Sequence, residues 1–319
     1  MRGQEIIIVK SLVVGGAGFI GSKVSNILAE SGRTVIALGR TSMPLHRLSK
    51  KVKYISGDYK DRYLLCELLK DTDELIDLAY ATVPKTSFDD PVNDILSNLP
   101  VGVGLIKEAS LAKLKKFVFV SSGGTVYGVA QSLPIREEHP TNPISPYGIT
   151  KLTLEKYILM FVSLTGLPAV IVRPGNAYGE QQQAFSGQGF VATAIKSIML
   201  KQPVNIFGPH GTVRDYLHAE DIARGIVAAL DFGLPGEVYN IGSGIGMNNI
   251  EVLETIEFYA KLHDYTIQIN LLPERGFDVP ANVLNSEKLI NISSWQPKIV
   301  FKEGMQRTWM SFVEKNTES

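Results

Sequence analysis

Short apolar runs alternate with helix-forming stretches through the first half of the 319-residue chain. The apolar run that starts at Ile6 predicts a buried first strand, best defined at 11–14. Apolar and small residues at i, i+3, i+4 and i+7 from Val24 predict a helix over about 20–31, which Gly32 is placed to end. Further strands are predicted at 34–38, 52–55, 74–78, 116–120 and 169–172, and further helices at about 94–112 and 147–164.

Strands that alternate with helices in this way indicate an α/β fold with a doubly wound parallel sheet. The helix at 94–112 carries an apolar stripe, which includes Ile95 and Ile106 and is expected in the core. After Pro174 the alternation becomes irregular, and Gly and Gln cluster between Gly179 and Gly189. We expect a first domain over 1–175, with return segments near 212–242, and a smaller α/β region mainly over 176–319.

Composition and charge are those of an ordinary globular enzyme, with 45% hydrophobic and 20% charged residues. Lys plus Arg and Asp plus Glu both number 32, so no global field attracts nucleic acid or an anionic membrane. Any anionic ligand must therefore be held by local positive groups. The single cysteine, Cys66, excludes an internal disulfide and fits a reducing compartment.

Neither a secretory leader nor a membrane span is expected. Lys10 interrupts the apolar run at 6–14, and a glycine loop follows where a cleavage site would stand. No other stretch approaches the roughly 20 apolar residues that cross a bilayer. We therefore expect a cytoplasmic protein with no membrane partner. The histidines lack metal-ligand spacing, so no metal site is expected, and His218 is interpreted as a packed or hydrogen-bonded residue.

Gly15, Gly18 and Gly21 form a G-x-x-G-x-x-G pattern between a predicted strand and a predicted helix. In such a loop the glycines permit a tight turn, a close approach of the backbone to a pyrophosphate, and close packing of helix on sheet. The N-terminus of the helix then offers free N–H groups to phosphate. A glycine-rich turn without a ligand is the alternative, but strand, loop and helix in this order favour a dinucleotide site.

In a dinucleotide site of this kind, a side chain at the end of the second strand contacts the adenosine ribose. Gly39 stands where an acid would accept from the ribose 2′-hydroxyl, and Arg40 follows it. Arginine suits a 2′-phosphate, which favours NADP weakly over NAD. Alternatively, Arg40 stacks on adenine or faces solvent and NAD is bound. Asp58, after the third strand, can accept from the adenine amino group.

Tyr147 and Lys151 are four residues apart at the start of a predicted helix, so they share one face. A free tyrosine, with a pKa of about 10, is a poor base at neutral pH. A neighbouring ammonium and an oxidised nicotinamide would favour the phenolate and lower that pKa. The pair could then move a proton on a sugar hydroxyl while hydride moves to or from a nicotinamide. The alternative is a Tyr and a Lys on the surface of an amphipathic helix.

With these motifs the chain resembles the extended short-chain dehydrogenases of the NAD-dependent epimerase/dehydratase family, and most of all nucleotide-sugar epimerases similar to UDP-glucose 4-epimerase. The resemblance extends from about Leu12 to Trp309. It implies a Rossmann dinucleotide domain followed by a smaller substrate domain. Relatives dimerise through the helices at 94–112 and 147–164, so a homodimer is expected. The segments that carry the resemblance are 15–21, 121–128, the Tyr147/Lys151 pair, 173–176, 213–218 and 275–280.

The resemblance implies a role for each matched residue. Tyr147 would be the base, Lys151 would hold the nicotinamide ribose, and Ser122 would assist at the sugar. Cofactor contacts are expected from Gly15, Gly18, Phe19, Ile20, Gly21, Arg40, Asp58, Tyr59, Leu78, Ala79, Ala81, Ser121 and Pro174, and substrate contacts from Ser122, Gly123, Asn176, Gln188, Arg214, Arg275 and Asp278. The two arginines would grip the diphosphate, although for Arg214 a surface salt bridge with Asp215 or Asp221 is the alternative.

One position departs from the family pattern. Relatives carry Ser or Thr three residues before the Val of Val-Tyr-Gly, and this chain has Gly123 there. Ser122 or a water could supply the hydroxyl instead. Dehydratases and decarboxylases of the superfamily carry an acid in this segment, which Gly124 and Thr125 cannot replace, so elimination is disfavoured.

The function predicted from the sequence is that of a nucleotide-sugar 4-epimerase, acting on a UDP-sugar through transient hydride transfer to NAD or NADP and a 4-keto sugar. The segment from Gln181 to Gly189 is expected to shape the sugar pocket. An NADPH-dependent 4-keto-sugar reductase is the alternative, since it would use the same Tyr147/Lys151 pair. A dinucleotide-binding sensor without activity is the third possibility.

Overall fold

The computed structural model describes residues 9–276 and 278–317. Its strands follow the alternation predicted for the first half of the chain and continue into the second half. They are β1 (Lys10–Val14), β2 (Thr34–Gly39), β3 (Val52–Ser56), β4 (Glu74–Asp77), β5 (Lys116–Val120), β6 (Ala169–Pro174), β7 (Asn176–Tyr178), β8 (Val204–Phe207), β9 (Val213–His218), β10 (Val238–Ile241), β11 (Gly246–Met247), β12 (Ile269–Leu272) and β13 (Ala281–Asn282).

A seven-stranded sheet forms the centre of the fold, in the order β10-β6-β5-β4-β1-β2-β3. Every neighbouring pair in it is parallel. The chain leaves β1 toward β2 on one side and returns to β4 on the other. The loops after these strands therefore share the carboxyl edge, where ligands of doubly wound sheets bind. The predicted doubly wound parallel sheet is confirmed.

Helices cover both faces of this sheet and build the smaller C-terminal part. They are α1 (Gly21–Glu30), α2 (Arg62–Leu69), α3 (Pro84–Asp89), α4 (Pro91–Leu111), α5 (Gly123–Val126), α6 (Pro146–Thr165), α7 (Phe190–Met199), α8 (Ala219–Phe232), α9 (Asn249–Lys261), α10 (Glu287–Ser293) and α11 (Phe301–Thr317).

Local chemistry sets the ends of α6, the helix that carries Tyr147 and Lys151. Ser145 precedes it, and its Oγ accepts from the N–H of Gly148 at 3.1 Å. Pro146 occupies the first turn, where its missing N–H costs nothing. Gly166 ends the helix with φ of 72°, a left-handed conformation that glycine adopts without strain. Together these residues fix where α6 begins and ends.

The core lies on both sides of the sheet, because the central strands are buried on both faces. Val13 and Val118 belong to the cluster that packs under α1 and α8. Leu12 and Phe117 face the opposite side, under α4 and α6. A third cluster joins α7, α9 and α11 around the fully buried Trp309. In that part β9 pairs with β7, β11 and β13, and β8 pairs with β12.

Some elements differ from the sequence predictions. Residues 6–8 of the predicted first strand lie outside the described residues, and the strand is observed from Lys10. The helix predicted over 94–112 begins at Pro91, because Asp90 caps it by accepting from the N–H of Asn93 at 2.9 Å. The prediction that Ile95 packs in the core is wrong, since this side chain is 46% exposed. The inward positions of that half of the helix are instead the polar Asp94 and Asn98.

The return of the chain near 212–242 places β10 beside β6 and packs α8 on α1. Both elements lie after residue 175 in the chain, yet they pack against the first part of the fold. The domain boundary at 175 therefore stays a prediction. Within the described residues, no helix combines the length and the apolar character required to cross a membrane.

Candidate active site

A cavity of about 720 Å³ opens at the carboxyl edge of the sheet. Its wall includes the glycine loop after β1, the start of α6 and the ends of β5 and β6. Residues of β9 and of the segment after β12 form another part of the wall, which we call the far end. A second cavity of about 280 Å³ lies beside it, at the ends of β2 and β3. The predicted cofactor and substrate residues are therefore brought together from many separate segments.

The glycine loop has the geometry expected of a phosphate site. Gly15 has φ of 78°, and a Cβ there would lie 3.2 Å from the backbone of Ala79. At Gly21 a Cβ would lie 2.1 Å from the carbonyl oxygen of Gly15. No side chain caps the N-terminus of α1, and its first turn contains no acid. The N–H groups of Ser22, Lys23 and Val24 donate to the carbonyl oxygens of Gly18 and Ile20, so a ligand would meet the backbone just before them, at Gly18, Phe19 and Ile20 on the cavity wall.

The smaller cavity collects six of the residues predicted to contact the cofactor, including Arg40 and Asp58, which were predicted at its adenosine. These are Arg40, Asp58, Tyr59, Leu78, Ala79 and Ala81, which follow three different strands. Beside them, a Cβ on Gly39 would lie 2.9 Å from the hydroxyl of Tyr54. That hydroxyl donates to the carbonyl oxygen of Thr41 at 2.6 Å. Tyr54 therefore fills the space in which an acidic side chain at position 39 would begin.

Tyr147 and Lys151 lie on one face of α6 and both line the larger cavity. The Lys151 Nζ donates to the carbonyl oxygen of Val120 at 2.9 Å and lies 6.0 Å from the centre of the Tyr147 ring. It also lies 4.3 Å from the centre of the Tyr80 ring. Tyr80 contacts Tyr147 edge to face, with 4.8 Å between the ring centres. The ammonium and the two phenols thus form one compact group.

Burial governs the protonation of this group. It raises the pKa of Tyr147 above its ordinary value, and the carboxylate of Asp94 raises it further. Burial lowers the pKa of Lys151 to about 8, against the opposing charges of Asp77, Glu155 and Asp94. Tyr147 is therefore a neutral phenol in the protein by itself. A cation bound beside it would favour the phenolate.

The two serines that follow β5 have different surroundings. Ser121 lines the cavity, but its hydroxyl donates to Glu155. Ser122 is also on the cavity wall. Gly123 is buried behind the wall, where a Cβ would lie 2.5 Å from Leu284 Cδ1 and 2.8 Å from the carbonyl oxygen of Arg173. The backbone here leaves no room for a hydroxyl side chain at position 123, so Ser122 is the serine of this wall whose hydroxyl is not engaged with Glu155.

The wall of the larger cavity also contains the predicted substrate residues Asn176, Gln188, Arg214, Arg275 and Asp278. The NH1 group of Arg214 donates to the carbonyl oxygens of Val213 and Val279, at 2.8 and 2.7 Å. Arg214 forms none of the ion pairs among the described residues, which removes the alternative of a salt bridge with Asp215 or Asp221. Arg275 lies over the Phe207 ring at 3.9 Å and donates to Asp278 at 2.7 Å. Asp278 therefore orients an arginine at the cavity.

The loop at 179–189 closes one side of the cavity. Gln182 and Gln188 lie on its wall, and Gln182 Nε2 donates to the carbonyl oxygen of Ala177 at 3.1 Å. Gln181 instead contacts His46, with 3.1 Å between Oε1 and Nδ1. The interpretation of His218 as a packed residue is confirmed, because it is buried and lies 3.1 Å from Glu180. Among 9–276 and 278–317, no group of three His, Cys, Asp or Glu side chains is arranged to hold a metal.

Three residues of this site were missed by sequence reasoning: Tyr80, Asp77 and Asp94. Tyr80 lines both cavities, and Asp77 is 4% exposed at the end of β4. Asp94 is buried in the first turns of α4 and accepts from Thr150 Oγ1 at 2.7 Å. Two signals could have found the aspartates. One is a charge inside the apolar run 75–79, and the other is the polar pair four residues apart in α4.

Known proteins share both sequence and structure with the chain. The family model described as "NAD dependent epimerase/dehydratase family" matches residues 11–242. A UDP-glucose 4-epimerase of Mycolicibacterium smegmatis is 31% identical, over 96% of this chain and 99% of that protein. Among solved structures, the UDP-glucose 4-epimerase of Thermotoga maritima with UDP-glucose has a TM-score of 0.89 and 29% identity, over 97% and 100% of the two chains. That of Thermus thermophilus with NAD has a TM-score of 0.86 and 31% identity, over 96% and 99%.

Proposed function

The chain belongs to the NAD dependent epimerase/dehydratase family, and we propose that it is an epimerase that inverts the C4 hydroxyl of a UDP-sugar. One observation carries this proposal. A single cavity joins the glycine loop, the Tyr147/Lys151 pair and the two arginines, Arg214 and Arg275. Such a cavity can hold a dinucleotide at one end and a nucleotide sugar at the other, with the phenol between them.

The residues at the glycine loop fit a dinucleotide. At the N-terminus of α1 the backbone of Phe19, Ile20 and Gly21 lies on the cavity wall and would offer its N–H groups to an anion, and no side chain caps that end of the helix. Lys151 would hold the nicotinamide ribose, since its ammonium lies at the cavity wall. When bound, the dinucleotide supplies the group that accepts a hydride from the sugar and gives it back.

Tyr147 is the residue proposed to move the proton. With Lys151 and an oxidised nicotinamide nearby, its raised pKa would fall, and its phenolate oxygen would take the proton of the C4 hydroxyl. Ser122, on the cavity wall, would donate to the same sugar oxygen and hold it against Tyr147. After the 4-keto sugar has rotated in the cavity to present its other face, Tyr147 would return the proton to the new C4 hydroxyl.

The far end of the cavity is proposed to bind the diphosphate. Arg214 is half-buried without a carboxylate among its described hydrogen-bond partners, and desolvation lowers its pKa, so an anionic ligand there gains a charge-assisted contact. Arg275 would contact the same diphosphate and Asp278 the nucleoside side. Asn176 and Gln188 would contact the sugar or its first phosphate, and Gly123 would act only through the loop backbone.

Two other activities fit less well. Elimination is disfavoured because Gly124 and Thr125 place no acid at the cavity. A 4-keto-sugar reductase would use the same Tyr147/Lys151 pair but would have to exchange its cofactor. A dinucleotide-binding sensor is the weaker choice, since the phenol, the ammonium and a serine hydroxyl are all on the cavity wall.

The residues of the second cavity are the basis for a proposal on the choice between NAD and NADP. Tyr54 leaves no space for an acid at Gly39, so nothing there would repel a 2′-phosphate, and Arg40 lies on the wall. We propose that the site admits NADP as well as NAD. Mass spectrometry of the dinucleotide retained after purification tests this. Retention of NAD alone, with no measurable affinity for NADP, would contradict it.

We also propose a homodimer built on α4 and α6, in the cytoplasm. These helices pack against each other and carry exposed apolar side chains, including Val92, Leu96 and Ile149, which are 64%, 64% and 52% exposed. Light scattering on the purified protein distinguishes a dimer from a monomer. Val92→Asp with Leu96→Asp should then shift the mass to that of one chain.

The substrate is tested with a panel of UDP-, dTDP- and GDP-sugars read by mass spectrometry and NMR. The proposal expects a UDP-sugar to change configuration at C4 with no change in mass. A 4-keto nucleotide sugar that gains two hydrogens when NADPH is supplied would favour the reductase instead.

A further inference from the structure

Five ionisable side chains, one of which is Lys151 itself, are buried together beneath Tyr147. Lys151 and Arg173 are positive, and Asp77, Asp94 and Glu155 are negative; each is at most 5% exposed. With all five ionised, the cluster contains one more negative charge than positive. A buried charge without a counter-charge is costly, so this excess needs an explanation.

Arg173 and Glu155 neutralise each other. Arg173 Nε donates to Glu155 Oε1 at 3.0 Å, and its NH2 group donates to Oε2 at 2.5 Å. The excess charge therefore lies on the other two carboxylates, Asp77 and Asp94, which share the single ammonium of Lys151. Their charges raise the pKa of Lys151 against the effect of burial.

The hydrogen bonds to these two carboxylates come from neutral donors. Asp77 Oδ1 accepts from the N–H of Ala79 at 3.0 Å. Asp94 accepts from Thr150 Oγ1 at 2.7 Å and also from the hydroxyl of Thr82. These donors fix the two carboxylates in place, but they do not cancel the second negative charge.

The missing positive charge can come from a ligand, because Lys151, Tyr147 and Tyr80 form part of the cavity wall. A nucleotide sugar is anionic and would be held at the far end by Arg214 and Arg275. An oxidised nicotinamide ring is cationic, and a ribose held by Lys151 brings that ring beside the cluster. It is therefore the group that would balance the charge.

We propose that Asp77 and Asp94 bias the bound dinucleotide toward its oxidised form. The inference rests on the proposed function, because it assumes a nicotinamide beside Lys151. The two carboxylates attract the cationic ring and gain nothing from the neutral reduced ring. They therefore favour return of the hydride to the sugar over escape of the keto sugar, which suits an epimerase that regenerates its cofactor.

Redox titration of the purified protein with saturating NAD tests this inference. The midpoint potential of the bound cofactor, relative to the free one, gives the ratio of the dissociation constants of NAD⁺ and NADH. For the wild type the ratio is expected to lie below one. Asp77→Asn and Asp94→Asn keep the shape and hydrogen-bonding capacity of each side chain but remove its charge.

Each of these variants should raise the ratio about tenfold, the effect of one charge about 10 Å away at an effective dielectric constant of about 20. Asp221→Asn is the matched control. Asp221 is equally buried and lies on α8, where it accepts from the N–H groups of Lys298 and Ile299 and pairs with Arg224 at 2.6 Å. Its substitution should leave the ratio unchanged, even where it weakens the fold.

Loss of packing alone would weaken both cofactor forms equally, so the ratio separates the electrostatic role from a structural one. An unchanged ratio in both variants, or a wild-type ratio above one, would overturn the inference while leaving the proposed epimerase intact. Failure of the wild type to bind either form would overturn both.

Discussion

The ammonium of Lys151 lies 4.3 Å from the centre of the Tyr80 ring. A cation over an aromatic face is stabilised by the negative charge of that face, and more strongly when both are buried. Tyr80 in turn contacts the Tyr147 ring at 4.8 Å between centres. Tyr80 therefore contacts both Tyr147 and Lys151, and we propose it as a positioning residue for this pair.

Replacement of Tyr80 by Leu should reduce kcat/KM by about tenfold, since the cation–π contact is worth about 1–2 kcal/mol in a buried site. The pKa of Lys151, which burial has lowered to about 8, should fall further. The alkaline limb of the pH–rate profile should therefore move to lower pH. Tyr80→Phe keeps the ring and serves as the control; an equal loss in both variants would argue against the role of the ring.

Gly123→Ser would supply the hydroxyl expected at this position from the family resemblance, but the backbone has no room for it. The added Cβ would lie 2.8 Å from the carbonyl oxygen of Arg173. We expect a loss of about 1–3 kcal/mol in the free energy of unfolding and no gain in kcat. Gly124→Ala is the matched control, because a Cβ there meets only Asn176 Oδ1, at 3.2 Å. A Gly123→Ser protein as stable as the wild type and faster would show that this loop rearranges.

Ser122→Ala tests which group replaces the missing hydroxyl. Ser122 is on the cavity wall, whereas the hydroxyl of Ser121 is engaged with Glu155. Removal of the Ser122 hydroxyl should lower kcat about tenfold with little change in KM, because the contact is needed at the oxygen that reacts. Steady-state kinetics measure both constants. An unchanged kcat would assign the role to a water.

Asp77→Asn should stabilise the cofactor-free protein at neutral pH. Burial raises the pKa of Asp77 to about 6 from an ordinary value of 3.8, so the folded state favours the protonated acid. The wild type therefore loses stability as pH rises from 3.8 to about 6, and the asparagine variant is spared this loss. The gain should reach up to about 3 kcal/mol at higher pH and vanish in acid.

Denaturant unfolding at pH values on both sides of this range measures the gain. A variant that is less stable than the wild type at every pH would mean that Asp77 mainly serves as a partner of Lys151. In that case its loss would leave the ammonium buried without support.

Local patterns predicted much of the fold. Residues of α1 repeat with the helical period, and the glycines at 15–21 mark the turn between strand and helix. By contrast, β10 is four residues long and pairs with β6, more than sixty residues earlier in the chain, so no local pattern revealed it. The α3 helix, which is only six residues long, was also missed.

In the candidate site, too, residues were predicted only where they belong to a recognisable local pattern. Motif residues such as Tyr147, Lys151 and Arg214 were predicted because their spacing is recognisable in the sequence. Asp94 was not, because its partners Thr82 and Thr150 are 12 and 56 residues away in the chain. Only the packing of α4 against α6 brings them together. Gly123 was read as a substrate contact, but its surroundings, Leu284 and Arg173, come from distant segments.

The most direct test of the account is incubation of the purified protein with UDP-glucose and, separately, UDP-galactose, without added cofactor, followed by NMR. The account predicts that each sugar is converted into the other to the same equilibrium mixture. Tyr147→Phe should lower the rate by at least about a hundredfold while retaining the dinucleotide. A panel of other UDP-sugars extends the test if the glucose pair is not the substrate. Turnover that requires stoichiometric NADPH, or full activity in Tyr147→Phe, would contradict the account.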